Sequence, residues 1–272
     1  MKTALIVVHG WLGDALFASS VAERLIREQQ FNAVDYLLGF PQTAPILQCN
    51  PFINRVYISS TLGPSPDYSD YASAYDAVFV LPVNDLVEPP TIKYQKACGV
   101  RQPTLPFRLQ VAIGVEREFV ALHAPVIFNG RKNIGICQVW KRHDESFFNT
   151  TELESQLATR YNVFPIGSRI GQFDGAQHVS SYVLSAVAAK YMDYVVGAEG
   201  GLTNLASGMG TKVIYTTDFT YALFGPQGRH RQYSDPLTRI GPCAFFPSQG
   251  HVPLQVDVNY ANLFDIITQI VQ

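Results

Sequence analysis

The sequence predicts an α/β protein built as two successive halves, each a parallel sheet covered by helices, and three observations carry that prediction. The chain opens with a β-branched apolar run, a glycine turn and a segment of helical periodicity; the same rhythm restarts at Asn133; and 272 residues suit two domains better than one.

Thr3 to Val8 is the first apolar run, and it ends at His9-Gly10. From Asp14 to Gln30, residues Leu16, Phe17, Val21, Leu25 and Ile26 recur at helical spacing. Val34 to Leu38 reads as a strand, Pro41 to Cys49 as a helix and Arg55 to Ser59 as a third strand. Ser60 to Tyr75 is rich in Ser, Pro, Gly, Asp and Tyr and reads as a loop. An apolar strand at Ala77 to Leu81 and a helix at Thr91 to Cys98 follow.

Between Arg101 and Asn133 the pattern weakens, broken by Pro103, Pro106, Pro125 and Gly130, and the boundary is set near residue 125, giving domains 1–125 and 126–272. The second half then reads as a strand at Asn133 to Val139 and a helix at Thr151 to Tyr161 capped by Thr150 or Thr151. After these come a strand at Val163 to Ile166, a helix at Tyr182 to Tyr191, a strand at Tyr194 to Gly197, a helix at Gly201 to Met209 and a strand at Lys212 to Thr216. Asn259 to Val271 closes the chain as an amphipathic helix. Strands and helices alternating at this spacing favour right-handed crossovers, hence two Rossmann-like layers with ligands beyond the carboxyl ends of the strands, facing each other across a cleft.

Twenty basic against 22 acidic side chains leave a net charge of -2, which offers no general attraction to nucleic acid or anionic lipid. Cys49, Cys98, Cys137 and Cys243 stand singly, without the spacing of a zinc site, and read as reduced thiols. No run of roughly 18 to 20 apolar residues suits a bilayer span, and the N-terminal run lacks a signal-peptide cleavage pattern, so a cytoplasmic setting is expected.

Chemistry concentrates in two loops. His9-Gly10-Trp11-Leu12-Gly13-Asp14 joins the first strand to its helix, where Gly10 and Gly13 leave room for a substrate to approach the main chain, Trp11 lies between them on the acceptor side, and Asp14 meets the positive end of the helix dipole. The same aspartate also suits a plain N-cap. A serine hydrolase is excluded, because no serine has glycine at both minus two and plus two. The second loop runs from Gly197 through Ala198, Glu199, Gly200, Gly201, Leu202 and Thr203 to Asn204, and its glycines would free helix N-terminal N–H groups for a diphosphate. Glu199 suits sugar or ribose hydroxyls, and an ordinary glycine turn is the competing reading. Lys141 and Arg142 follow the strand at Asn133, and Gly167-Ser168 follows the next one; a donor phosphate or plain solvent would suit either turn.

Together these segments resemble the heptosyltransferase family of GT-B glycosyltransferases. The resemblance is carried by GWLGDALFASSVAERLIRE, by CNPFINRVY from Cys49 to Tyr57, and by SAVAAKYMDYVVGAEGGLTNLASGMGTKVIYTTDF in the second half. It implies a metal-independent glycosyltransferase, with an acceptor-binding first domain and a nucleotide-sugar-binding second domain. Asp14 then matches the catalytic base, Lys141 falls near the phosphate-binding lysine, and Gly200, Gly201 and Leu202 match the diphosphate loop. The nucleotide sugar is a substrate rather than a cofactor, and the acceptor is a glycan, a lipid-linked glycan or another hydroxyl compound. Glu199 stands where the family has Asp, Gly200 where it has Ser or Thr, and Asn204 where it has His. These three exchanges keep open a second class, a non-catalytic GT-B module that binds a nucleotide sugar or glycan.

Overall fold

The computed structural model describes residues 1–82, 90–104, 107–138, 148–167, 181–198, 200–216, 252–254 and 262–272. The chain divides into two compact units between Gln110 and Val111.

In the first unit the order is β1 (Thr3–Val8), α1 (Leu12–Gln29), β2 (Ala33–Leu38), a short 3-10 turn at Pro41–Thr43 leading into α2 (Ala44–Leu47), β3 (Arg55–Ile58), α3 (Ser69–Ala72), β4 (Ala77–Val80) and α4 (Pro90–Ala97). The four strands form a parallel sheet in the order β3-β2-β1-β4. Register pairs Thr3 with Ala33 and Ala4 with Ala77. The central strand β1 is buried from Ala4 to Val8, as a strand covered on both faces must be. Leu5, Val7 and Leu37 form a core cluster flanked by Tyr57, Tyr71, Tyr75 and Val78, while α1 sends Leu16, Val21, Ala22 and Leu25 inward.

Among the described residues, a carboxyl group lies inside this unit. Asp35 in β2 is buried, and it accepts hydrogen bonds from Asn54 Nδ2 at 2.8 Å and from the Tyr75 hydroxyl at 2.7 Å. Without those donors a buried carboxylate would carry a large desolvation cost.

The second unit begins with α5 (Ile113–Ile127) and continues through β5 (Asn133–Cys137), α6 (Thr151–Ala158), β6 (Asn162–Ile166), α7 (Ser181–Lys190), β7 (Tyr194–Ala198), α8 (Gly201–Gly208), β8 (Lys212–Thr216), β9 (Val252–Leu254) and α9 (Leu263–Val271). Its parallel sheet has the order β6-β5-β7-β8-β9. Pro165 is tolerated in β6 because that strand lies at the sheet edge among the described residues. Leu153 and Leu157 of α6 and Leu263, Ile267 and Val271 of α9 bury against Ile134, Ile136, Val196 and Ile214. Burial on that scale is worth about 1.5–3 kcal/mol for each large aliphatic side chain.

Three elements differ from the sequence expectation. The weak segment after Arg101 contains the helix α5, which packs with the second unit through Glu116, bonded to Lys190 Nζ at 2.5 Å and to the Tyr191 hydroxyl at 2.6 Å. The division of the chain therefore falls ahead of α5 rather than inside its last turn. A one-turn helix, α3, forms within the Ser60 to Tyr75 stretch, and β9 adds a fifth strand to the second sheet. Thr150 occupies the N-cap position of α6, where its hydroxyl donates to Glu154 Oε1 at 2.6 Å instead of capping the helix. No helix among the described residues is long and apolar enough to cross a membrane.

Candidate functional site

A parallel sheet opens a crevice where the chain leaves two neighbouring strands toward opposite faces. In the first sheet that point lies between β1 and β4, and in the second between β5 and β7. The two loops singled out from sequence follow β1 and β7, so each lies at the switch point of its own sheet.

At the first switch point Gly10 takes φ +107°, a conformation that costs a side-chain-bearing residue, and its N–H donates to Pro64 O at 2.7 Å. A Cβ on Gly10 would stand 2.1 Å from Asp14 Oδ2, so glycine here is what admits the carboxylate. Trp11 is the N-cap residue of α1, and Asp14 is the third residue of the helix, not its cap. Asp14 Oδ2 accepts from the Trp11 N–H at 2.8 Å, the reciprocal half of a capping box, and Oδ1 accepts from the hydroxyl of fully buried Tyr94 at 2.7 Å. Gly13 lies beside it in the first turn.

Burial pushes the Asp14 carboxyl above its ordinary range, against the opposing pull of the Tyr94 hydroxyl and the Trp11 and Asp14 N–H groups. An ionised carboxylate has about four lone-pair positions, and the Trp11 N–H and the Tyr94 hydroxyl take two of them. The remainder can receive a proton. His9 stands one residue before the turn, and its buried Nε2 has no hydrogen-bond partner among the described residues.

At the second switch point Gly200 is the N-cap of α8 with extended backbone. Its N–H is bound at 3.0 Å by Thr203 Oγ1, which in turn lies 3.0 Å from Ala198 O and 2.9 Å from Gly200 O. The first-turn amides that follow, those of Gly201, Leu202 and Thr203, have no acceptor within the helix by its geometry and are oriented along its positive end. Asn204, in the same turn, is buried, and its Oδ1 has no hydrogen-bond partner among the described residues. Gly197 is pressed against Cys137: a Cβ there would come within 2.6 Å of the cysteine's own Cβ.

Gly167 follows β6 with φ +134° and donates its N–H to the Ser185 hydroxyl at 3.0 Å. A side chain on it would approach Leu202 Cδ1 at 3.2 Å and Gln138 Cβ at 3.4 Å. The ends of β5 and β6 and the first turn of α8 thus converge on one place in the second unit. Of the residues chosen from sequence, Gly10, Trp11, Gly13 and Asp14 gather in the first unit, and Gly167, Gly200, Gly201, Leu202 and Asn204 gather in the second. Lys141, Arg142, Ser168 and Glu199 lie outside the described residues.

Sequence reasoning missed Tyr94, Thr203 and Phe40. Tyr94 reaches Asp14 from 80 positions away, a pairing no local pattern reveals. Thr203 had a local signal in its place three residues after Gly200, where its hydroxyl reaches back to the cap N–H. Phe40 stacks on Trp11 with ring centroids 4.3 Å apart and planes 23° apart. Among the described residues no group of three or more His, Cys, Asp or Glu side chains is arranged to hold a metal ion.

No protein-family model matches the chain. No curated protein matches it either. Solved structures do. A family 9 glycosyl transferase from Veillonella parvula superimposes with a TM-score of 0.66 at 11% identity, over 99% of this chain and 89% of that one. The ADP-heptose lipopolysaccharide heptosyltransferase II of E. coli gives 0.57 at 14% identity, over 100% and 98%. The E. coli heptosyltransferase WaaC, determined with ADP-2-deoxy-2-fluoro heptose, gives 0.58 at 11% identity, over 98% and 99%. The chain has the α/β fold of these glycosyltransferases.

Proposed function

We propose that the chain is a GT-B glycosyltransferase, moving a sugar from a nucleotide-diphosphate donor to an acceptor hydroxyl with Asp14 as general base. The observation that carries this reading is the Asp14 carboxylate at the switch point of the first sheet, held by two donors and raised in pKa by burial. A base with a raised pKa removes a proton more effectively near neutral pH than an exposed aspartate does. The shared fold of the glycosyltransferase structures supports the same reading.

In this mechanism Asp14 takes the acceptor's proton as its oxygen attacks the anomeric carbon. The bond to the leaving diphosphate breaks while the Gly201, Leu202 and Thr203 N–H groups, with Lys141 and Arg142, balance its charge. Glu199 holds the donor's sugar or ribose hydroxyls, Gly167, Ser168 and Asn204 border the donor, and Gly10, Trp11 and Gly13 border the acceptor. Charge balance comes from these protein groups rather than from a metal ion. The free thiols of Cys98 and Cys137 suit a cytoplasmic setting.

Thermal-shift titration with ADP-, GDP-, UDP-, CMP- and dTDP-sugars identifies the donor, since a ligand of the native state raises Tm. ADP-sugars come first because two neighbours are named for ADP-heptose or determined with its analogue. Turnover of the binding donor with a panel of hydroxyl acceptors follows, in the wild type and in Asp14→Asn. Loss of transfer with donor binding retained is the expected result, and equal activity in the variant removes Asp14 from the mechanism. Binding with neither transfer nor slow hydrolysis across the panel would instead support a non-catalytic module, the reading kept open by Gly200 in place of Ser or Thr and Asn204 in place of His.

A further inference from the structure

Trp11 is three residues before Asp14, yet it is 64% exposed. An exposed indole ordinarily finds many rotamers, but this one is stacked on Phe40. With one ring face covered and most of the residue still accessible, the opposite face is presented to solvent in a fixed orientation. Fixing it beforehand lowers the entropy lost when a ligand settles on it.

The framework beneath this shelf is stiff. Three loops at the carboxyl ends of β1, β2 and β3 are tied by backbone hydrogen bonds, Gly10 N–H to Pro64 O at 2.7 Å and Gly63 N–H to Gly39 O at 3.0 Å. Gly39 and Gly63 approach so closely that a Cβ on Gly39 would stand 1.7 Å from Gly63 O. Leu62 on the third loop is 65% exposed and adds apolar surface at the same end of the sheet. Basic charge is missing: residues 39–43 and 59–68 contain no Lys or Arg. A phosphorylated or otherwise anionic acceptor would find no counter-charge on these loops, and the nearby Asp14 carboxylate would repel it.

Resting on the glycosyl-transfer reading, we infer that the Trp11–Phe40 stack is the acceptor platform and that the acceptor presents an uncharged sugar ring. The polarised C–H groups on one face of a pyranose lie against the negative face of the indole. Its hydroxyls remain at the rim, where one can reach Asp14. The acceptor class is therefore a neutral glycan.

The chain has two tryptophans, so a full-length Trp140→Phe variant leaves Trp11 as the fluorescent reporter. Titration with cellotriose, mannotriose and chitotriose, against mannose 6-phosphate and adenosine, reads the platform without any turnover. At least one neutral trisaccharide is expected to perturb Trp11 while the two controls do not. Adding Phe40→Ala should weaken that binding about two- to tenfold, the worth of an aromatic pair. Trp11→Ala, a change at an exposed position, should raise the acceptor KM about tenfold or more and leave the thermal shift by donor unchanged. Silence toward every neutral sugar, or preference for the phosphorylated sugar or the nucleoside, overturns the platform even if transfer proceeds. Sugar binding at Trp11 without transfer overturns the catalytic reading and leaves the platform standing.

Discussion

The hydroxyl of Tyr94 lies 2.7 Å from Asp14 Oδ1, joining the fully buried face of α4 to the first turn of α1 across the opening of the first sheet. This bond lowers the Asp14 pKa, while desolvation, the larger influence, raises it. Removing the hydroxyl leaves burial less opposed. Tyr94→Phe should therefore move the acidic limb of the transfer rate to higher pH, with activity falling first below neutrality and recovering at alkaline pH. A purely structural loss would lower the rate at every pH by the same factor. The pH dependence of kcat/KM separates the two, and an unshifted limb would show that Tyr94 does not set the base.

Asp14 should also stand out as a stability liability. Its folded pKa is raised above the unfolded value of about 3.9, so the folded state binds the proton more tightly. That contribution is complete below the unfolded pKa and is lost as pH rises through the folded one. At neutral pH the ionised group works against folding. Asp14→Asn mimics the neutral form and keeps an oxygen able to accept from the Trp11 N–H. It is expected to lose transfer by about 10²–10⁴-fold, the usual contribution of a general base, while melting at the same temperature or higher at pH 7 to 8. The advantage should shrink toward pH 4. Each kcal/mol moves Tm by about 2–4 °C in a protein of this size class, so calorimetry at the two pH values resolves the sign.

What the sequence made legible follows from burial. β1 could be read from its apolar run because it is a central strand covered on both faces, and α1 because its inward residues contrast with an exposed side carrying Glu23, Arg27 and the Arg24–Glu28 pair. Helix α5 escaped because that contrast is missing: Ile113, Leu122 and Val126 are exposed, only Phe119 and Ile127 are buried, and Pro125 sits inside the helix. The positions of the Gly10 to Asp14 and Gly200 to Asn204 turns were readable, because glycines between an apolar strand and a helix mark a switch point. The groups that tune those turns were not. Tyr94 and Phe40 come from other elements, and their pairing with Asp14 and Trp11 is created by the parallel crossovers rather than by any spacing in the chain.

Gly10 is the backbone position on which the carboxylate depends. Gly10→Ala places a Cβ 2.1 Å from Asp14 Oδ2 and forces alanine to φ +107°. The conformational strain alone costs about 1–3 kcal/mol, and the side chain of Asp14 must also move. Transfer should fall more than about tenfold, since small misplacement of a reacting group is costly, with donor binding intact. Gly114→Ala is the matched control: it lies in α5, a Cβ there meets nothing within 4 Å, and its φ is not in the left-handed region. It should be neutral or stabilising by about 0.5–1 kcal/mol. Chemical denaturation of the two variants checks the contrast.

Thr203 offers the corresponding test in the second unit. Its hydroxyl is fully buried, holds the Gly200 N–H at 3.0 Å and bridges back to Ala198 O, so it fixes the path from β7 into α8. Thr203→Val keeps the shape of the side chain and removes the hydroxyl, leaving the Gly200 N–H and the Ala198 carbonyl without that partner. Loss of a comparable cap costs about 0.5–2 kcal/mol. If the following amides receive the donor diphosphate, loosening this turn misdirects them, and the thermal shift given by the nucleotide sugar should drop along with its affinity. Thr203→Ser restores the hydroxyl and should restore both. Asp14→Asn, made in the other unit, should leave donor affinity unchanged. Equal donor affinity in the valine and serine variants would mean that the α8 turn is a structural cap alone, and the diphosphate would have to be sought elsewhere.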